Sequence, residues 1–427
     1  MNAQINADIN AHSADIIPSI GLLMDLQFIL YYSVNKIQDL QFFGEFGGVN
    51  PSISDSSTYT FLSANSMSET FEGNMEGCYL YSRNSSPSNL YLEEACAAME
   101  GTEAANVFSS GMGAITSTIL QICKSGDHVI SSRTVYGGTY AFLKNFTPQI
   151  GIETDFVDIT NINAIKNLVK KNTKIIYCEV SSNPLLEVAD IESLSKIAKE
   201  NGLKLIVDNT FTPLSISPAK FGADVVIHSL TKFINGTSDT IAGVVCSSKE
   251  FIHCLRDVND GAFMLMGATM DSLRAASVLK NMRTLHIRMK KHGENAMYLA
   301  KSFEKDGVKT VYPGLKSHSS HKIFSKMMNK TYGYGAMVTI DVGSLKKANM
   351  LMEKMQEKNL GYLAVSLGFY KTLFCAPGSS TSSEISDKEQ QKMGLSEGLI
   401  RFSVGLDHDI ERTYKGIKKC LKEFKLI

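Results

Sequence analysis

The sequence predicts an α/β fold: a large domain around a mostly parallel sheet, followed by a smaller C-terminal α/β domain. Three observations carry this. From about Ala97, short apolar runs bounded by turn residues alternate with stretches of helical spacing. The runs are too short and too rich in β-branched residues to be helices. After about Ala262 the pattern changes to a long helical stretch, and strand-like runs return only later.

The elements follow in order. Ala104–Ser109 reads as a strand, and the Ser-Ser-Gly turn after it starts a helix over Gly111–Leu120. Ser125-Gly126-Asp127 is a turn that feeds a strand at His128–Ser132. Lys174–Val180 is a buried strand and Ile191–Asn201 a helix with apolar residues at helical spacing. Leu203–Val207, Asp224–Ile227 and Ala242–Cys246 are further strands. A helix runs from Ser272 through the Arg288 region, and Ala336–Asp341 and Gly398–Gly405 are strands of the second domain. Pro377–Ser386 reads as a polar loop. The expected division is 1–90 as an N-terminal arm, 91–285 as the large domain and 286–427 as the small domain. Gly21–Val34 is apolar but interrupted by Asp25 and Gln27, and too short to span a bilayer. It reads as an amphipathic helix packed on the body or on a neighbouring subunit.

Composition narrows the partners. The chain of 427 residues is long enough for two domains, and with 44% hydrophobic and 20% charged residues it can bury a sizeable core. Lys+Arg and Asp+Glu both total 43, so nothing favours nucleic acid or an anionic membrane as partner. The basic run Arg288–Lys291 reads as a solvated helix face. The 8 cysteines show no CxxC pair and no disulfide spacing. They fit a reducing compartment, and with no Lys or Arg before Lys36 the expectation is a cytoplasmic protein. His318 and His321 form the one close histidine pair, read as an exposed loop rather than a metal site.

Several residues fall where chemistry would be. Asp208 ends an apolar strand, and Lys232 follows another, flanked by Ser229, Thr231 and Phe233. The carboxyl ends of parallel strands are where open α/β sheets bind ligands. Ser109-Ser110-Gly111-Met112-Gly113 joins a strand to a helix, so backbone N–H groups there can approach an anion. Tyr136 follows a strand, and Arg401 lies inside an apolar one, where a buried guanidinium must meet an anion. Each has a plainer reading: a helix cap for Asp208, a tight turn for the glycines, a packed tyrosine, a structural salt bridge for Arg401. Together they meet the demands of pyridoxal 5′-phosphate, which needs a lysine for its aldehyde, an acid at its ring nitrogen, a dianion site, an aromatic face and an arginine for a substrate carboxylate.

The chain resembles the Cys/Met-metabolism enzymes that depend on pyridoxal phosphate, a family that includes cystathionine γ-synthase, cystathionine γ-lyase, methionine γ-lyase and O-acylhomoserine sulfhydrylase. The resemblance runs from about Gly47 to the C-terminus. It is carried by YSRNSSPS from Tyr81, SSGMGA from Ser109, VYGGTY from Val135, IVDNTF from Ile206, VIHSLTKFINGTSDTIAGVV from Val226, AVSLG from Ala364 and GLIRFSVGLD from Gly398. It implies the aspartate-aminotransferase-like fold, fold type I. It implies that Lys232 binds the cofactor covalently and shuttles protons, that Asp208 pairs with the ring nitrogen, and that Tyr136 stacks on the ring and acts as acid or base at the leaving group. It implies phosphate binding by Gly111, Met112, Ser229 and Thr231, with Tyr81 and Arg83 reaching the phosphate of the neighbouring subunit. It also implies a substrate-carboxylate clamp of Arg401, Ser366 and Asn183, no metal, and a homotetramer built of such dimers acting on an amino acid.

The sequence departs from the family pattern at Gly236-Thr237-Ser238-Asp239, where a histidine usually follows the glycine, at Ser86-Pro87-Ser88, and in the loop Phe369–Ser383. The neutral Val365 before Ser-Leu-Gly suits a short apolar substrate tail, which points to a methionine γ-lyase-like carbon–sulfur lyase. Gly138, where methionine γ-lyases typically carry cysteine, argues against that reading and leaves γ-replacement on an O-acylhomoserine, as in cystathionine γ-synthase or the sulfhydrylase, or a cystathionine γ-lyase reaction as alternatives.

Overall fold

The structure is a computed structural model, and it describes residues 36, 40, 44, 47–61, 63–72, 77–380, 385 and 387–427. The amphipathic helix expected over Gly21–Val34 lies outside these residues.

Among the described residues the larger sheet has seven strands: β1 (Ala104–Phe108), β2 (His128–Ser132), β3 (Glu153–Val157), β4 (Thr173–Glu179), β5 (Lys204–Asp208), β6 (Val225–His228) and β7 (Gly243–Ser247). Their order is β1-β7-β6-β5-β4-β2-β3. The pairs among β3, β2, β4, β5 and β6 are parallel, while β7 runs antiparallel to both β6 and β1. The sheet is therefore mostly parallel, as expected. Successive side chains leave a strand on opposite faces. Ile175 and Tyr177 join one core with Ile206 and Ile227, while Ile176 and Cys178 join another with Leu205 and Val207. Helices α1 (Pro87–Glu100), α2 (Gly111–Ile122) and α3 (Ile191–Glu200) belong to this layer. Each begins at a side-chain cap: Ser86, Ser110 and Asp190 accept from the N–H of the third residue after them.

The long helix expected from Ser272 to the Arg288 region is two helices, α4 (Ser272–Met282) and α5 (Leu285–Lys305). The ladder stops because the carbonyl of Asn281 is claimed locally. It accepts from the Thr284 amide and hydroxyl and from the Arg288 guanidinium. Arg288 itself corrects the reading of a solvated basic face. It is half-buried, and its guanidinium donates to the carbonyls of Phe233 and Ile234 as well. Burial brings its pKa down to about 10.

The second sheet has five strands among the described residues, β8 (Lys309–Val311), β9 (Met337–Asp341), β10 (Tyr362–Leu363), β11 (Leu373–Cys375) and β12 (Leu399–Ser403), in the order β10-β11-β12-β9-β8. Strand β11 falls inside the stretch 369–383 that the sequence presents as a loop. It is too short to show an apolar alternation, and pairing with β12 defines it. Val338, Ile340, Ile400 and Phe402 face a core shared with Leu299 and Phe303 of α5 and with helices α6 (Leu345–Glu357) and α7 (Ile410–Glu423). The alternation sends Thr339 and Arg401 to the other face. His318 and His321 are half-buried rather than exposed: the His318 Nδ1 accepts from the Ser320 amide, and the His321 ring stacks on Tyr334.

The loop before β11 closely approaches the backbone of Lys232. Gly368 has φ +81°, and a Cβ there would lie 2.5 Å from the Phe233 nitrogen and 2.7 Å from the Lys232 carbonyl carbon. Only glycine fits both the conformation and the space. Gly368→Ala is expected to cost about 2–4 kcal/mol of stability. A lowered melting temperature of the substrate-free protein checks this, and an unchanged one would remove the proposed close approach.

Candidate active site

The C-terminal ends of β1, β2, β4, β5 and β6 all lie at one edge of the large sheet, and a cavity of about 290 Å³ opens there. Its lining takes Ser110, Gly111 and Met112 from the β1–α2 turn, Tyr136 after β2, Glu179 from β4, Asp208 from β5, and Ser229, Thr231 and Lys232 after β6. The second sheet contributes Arg401, with Val365 and Leu367 from the loop before β11, and Asn183 and Ile241 are also part of the wall. Strand β7 pairs antiparallel with β6. The segment between these strands carries Lys232 across the edge instead of entering a helix.

Lys232 donates from Nζ to the Ser366 hydroxyl at 3.1 Å. Burial, and then the nearby Arg401 charge, lower its pKa below the usual lysine value. Arg401 is 2% exposed, and one of its terminal nitrogens donates to Asn183 Oδ1 at 2.9 Å. Its Nε has no partner, and no carboxylate among the described residues forms an ion pair with it. The salt-bridge alternative for Arg401 is thus not what the structure contains. A buried guanidinium with unused donors fits an anion arriving from the cavity.

Asp208 does not cap a helix either; its Oδ1 accepts from the Thr210 amide at 2.9 Å in the turn that follows β5. Burial raises its pKa above the ordinary carboxyl value, against the lowering by its Thr210 bonds. Neighbouring Glu179 stands opposite Asp208 in the β4–β5 register, and sequence reasoning did not single it out. Its two oxygens accept from the backbone N–H of Tyr136 at 2.6 Å and of Asn183 at 2.9 Å. Burial first, and then Asp208, hold its pKa well above the carboxylate range. Two buried carboxyls side by side favour protonation. A carboxyl whose folded pKa is raised contributes stability at low pH that is lost as pH climbs toward the raised value. The substrate-free and cofactor-free protein should therefore lose stability relative to Asp208→Asn as pH rises above the ordinary carboxyl range of about 4. Melting temperatures of the two proteins across that range check this. A constant difference would contradict the raised carboxyl.

Gly111 and Met112 open α2 and line the cavity, and the N–H of neither has a protein acceptor among the described residues. Gly111 packs on Ser229, where a Cβ would lie 2.9 Å from the Ser229 Cβ. The Thr231 hydroxyl is tied to the backbone of Ala242, donating to its carbonyl at 3.1 Å and accepting from its amide at 2.9 Å. Tyr136 is 44% exposed at the rim.

Tyr81 and Arg83 are not in this lining. They flank a separate surface hollow with Asp55, Ser57 and Thr269; Tyr81 is 47% exposed, and Arg83 donates to the Met264 carbonyl at 2.9 Å. Thr237 is also outside the lining, bound to Asp239 at 2.7 Å and to Asn281 at 3.2 Å. Among the described residues no cluster of three or more His, Cys, Asp or Glu side chains could hold a metal, and no helix is long and apolar enough to cross a membrane.

A lysine, an acid, an open helix N-terminus and a buried unpaired arginine around one cavity on this fold define a fold type I, pyridoxal phosphate-dependent enzyme. Residues 34–422 match the profile of the Cys/Met metabolism PLP-dependent enzymes, and the chain belongs to that family. It is 44% identical over 384 residues to methionine gamma-lyase of Arabidopsis thaliana, covering 88% of this chain and 87% of that one. It is 39% identical over 368 residues to L-methionine gamma-lyase of Fusobacterium nucleatum subsp. polymorphum, covering 85% and 91%. A crystal structure of a putative O-acetylhomoserine (thiol)-lyase from Campylobacter jejuni, solved with a pyridoxyl-lysine phosphate, superimposes with a TM-score of 0.84 at 27% identity, covering 91% of this chain and 99% of that one. The cofactor of the family is pyridoxal phosphate, and the residues present fit it: the free amides of Gly111 and Met112 suit its phosphate, and buried Asp208 suits a protonated ring nitrogen.

Proposed function

We propose that the protein is a carbon–sulfur γ-lyase that takes L-methionine and water to methanethiol, 2-oxobutanoate and ammonia. The observation that carries this reading is the 44% identity to a methionine gamma-lyase over most of both chains. The rim supports it. Val365 and Ile241 are 62% and 70% exposed and border the cavity with Tyr136, so the place for the substrate tail is apolar and uncharged. That suits a methylthio group better than a second amino-acid end.

When bound, pyridoxal phosphate supplies an electron sink that acidifies the carbons of the amino acid joined to it. The amide groups of Gly111 and Met112 and the Ser229 hydroxyl would hold its phosphate, and Thr231 joins them by giving up its bond to Ala242. Asp208 would keep the ring nitrogen protonated. Lys232, whose pKa is lowered, would carry protons between the α- and β-carbons, and its bond to Ser366 would orient its amine. Arg401 and Asn183 would bind the α-carboxylate, and Ser366 would help. Glu179 holds the backbones of Tyr136 and Asn183 in place. Tyr136 would stack on the ring and give a proton to the departing sulfur as the Cγ–S bond breaks. Tyr81 and Arg83 would complete the phosphate site of a neighbouring subunit, which accounts for their place outside this cavity. The assembly is then a homotetramer of paired chains, in the cytoplasm.

A second reading, γ-replacement on an O-acylhomoserine, is favoured by Gly138. A Cβ there would lie 2.6 Å from the Tyr136 ring, so a side chain at 138 would crowd the ring proposed to face the leaving group. Separate incubations with L-methionine, L-cystathionine, and O-acetylhomoserine plus cysteine distinguish the two. The lyase reading expects 2-oxobutanoate and a thiol from methionine. Cystathionine formed from the third mixture, with no keto acid from methionine, would overturn it.

A further inference from the structure

Next in sequence to the cavity-lining Asp208 and Ser229 stand two residues of a buried polar cluster that the proposed chemistry does not use. Glu100 is the last residue of α1 and is 1% exposed. Its Oε1 accepts from Asn209 Nδ2 at 3.0 Å and lies 2.7 Å from His228 Nε2. A carboxylate oxygen accepts, so Nε2 is the protonated nitrogen; Nδ1 has no partner. Asn209 directly follows Asp208 at the end of β5, and fully buried His228 ends β6, immediately before Ser229 and four residues before Lys232. Asn209 is further fixed by its bonds to the Ile216 carbonyl at 2.8 Å and to the Thr212 hydroxyl at 2.6 Å, and the Glu100 carbonyl accepts from Ser217 at 2.6 Å.

One oxygen atom therefore joins the roots of two neighbouring loops. The first carries Asp208, the second Ser229, Thr231 and Lys232. We infer that Glu100 is a positioning residue that fixes the Asp208 loop relative to the Lys232 loop through Asn209 and His228. The inference rests on the proposed placement of pyridoxal phosphate, in which Asp208 would meet the ring nitrogen and Lys232 the aldehyde. Such a ligand is held only as well as the two loops are placed relative to each other. The carboxylate acts here as a shared hydrogen-bond acceptor, and a glutamine carbonyl at the same place can accept both bonds.

The test compares Glu100→Ala, Glu100→Gln and Asn209→Ala in the full-length protein. Equilibrium dialysis of each apoprotein gives its affinity for pyridoxal phosphate, and the pH midpoint of the visible band reports how Lys232 meets the cofactor. Glu100→Ala should bind about tenfold more weakly, with a shifted midpoint. Glu100→Gln should stay within about threefold of wild type with its midpoint in place. Wild-type affinity and midpoint in folded Glu100→Ala would overturn the inference, as would a glutamine variant as impaired as the alanine one. If Glu100→Ala does not fold, Asn209→Ala, which removes one arm alone, takes its place: weakened binding supports the staple and wild-type binding overturns it. A lysine at 232 that proves dispensable for the visible band would instead bring down the cofactor placement, an outcome distinct from all of these.

Discussion

Lys232→Ala should abolish the visible absorbance of the bound cofactor and lower kcat/KM by about 10⁴-fold. The size follows from two roles being lost at once. The side chain is the proposed covalent anchor, and its amine is the proposed base for the α-proton. Both depend on an amine that is not permanently charged, and burial beside Arg401 lowers its pKa as required. The fold should survive, because the lysine side chain lines a cavity and makes one side-chain hydrogen bond, to Ser366. A melting temperature near that of the wild-type apoprotein, with the absorbance gone, separates this outcome from unfolding. A variant that keeps the band would contradict the assignment.

Arg401→Ala should act on the amino acid and leave the cofactor alone. Removing a buried charged partner of a carboxylate costs about 2–5 kcal/mol, so KM for methionine should rise about 30-fold or more. The visible band should persist. The apoprotein should lose little or no stability, since the guanidinium is buried with an unpartnered Nε and no ion pair among the described residues. This is the opposite of what a structural salt bridge would give. Marked destabilisation of the substrate-free variant would show that the arginine serves the fold first. Lysine would not replace it well, because a point charge lacks the fork that matches a carboxylate.

The parts legible in the sequence are those in which side-chain period and turn chemistry act locally. The strands ending at Asp208 and His228 read as apolar runs, and the Ser-Ser-Gly turn marked the start of α2. Helix α2 begins at Gly111, where that turn placed it, and every strand named in advance exists within a residue or two of its expected bounds. What stayed hidden was set by tertiary contacts. Strand β3 carries charge and lies at a sheet edge, so it shows no apolar run. Arg288 sits in a basic run that reads as solvated, and only the approach of the Phe233 and Ile234 carbonyls gives it a place. Glu179 and Glu100 are single acids whose meaning lies in the residues that reach them from other strands. The cavity itself brings ten or so such positions together, and most of the motif residues meet there. Tyr81 and Arg83 stand apart at their own surface hollow, and Thr237 is turned to Asp239 and Asn281.

The central claim is that Lys232 holds pyridoxal phosphate at the edge of the large sheet. The most direct measurement reduces the purified holoprotein with borohydride, digests it, and locates the pyridoxyl group by peptide mass spectrometry. The group should appear on the peptide containing Lys232 and on no other lysine. A pyridoxyl group found on a different lysine, with Lys232 unmodified, would contradict it.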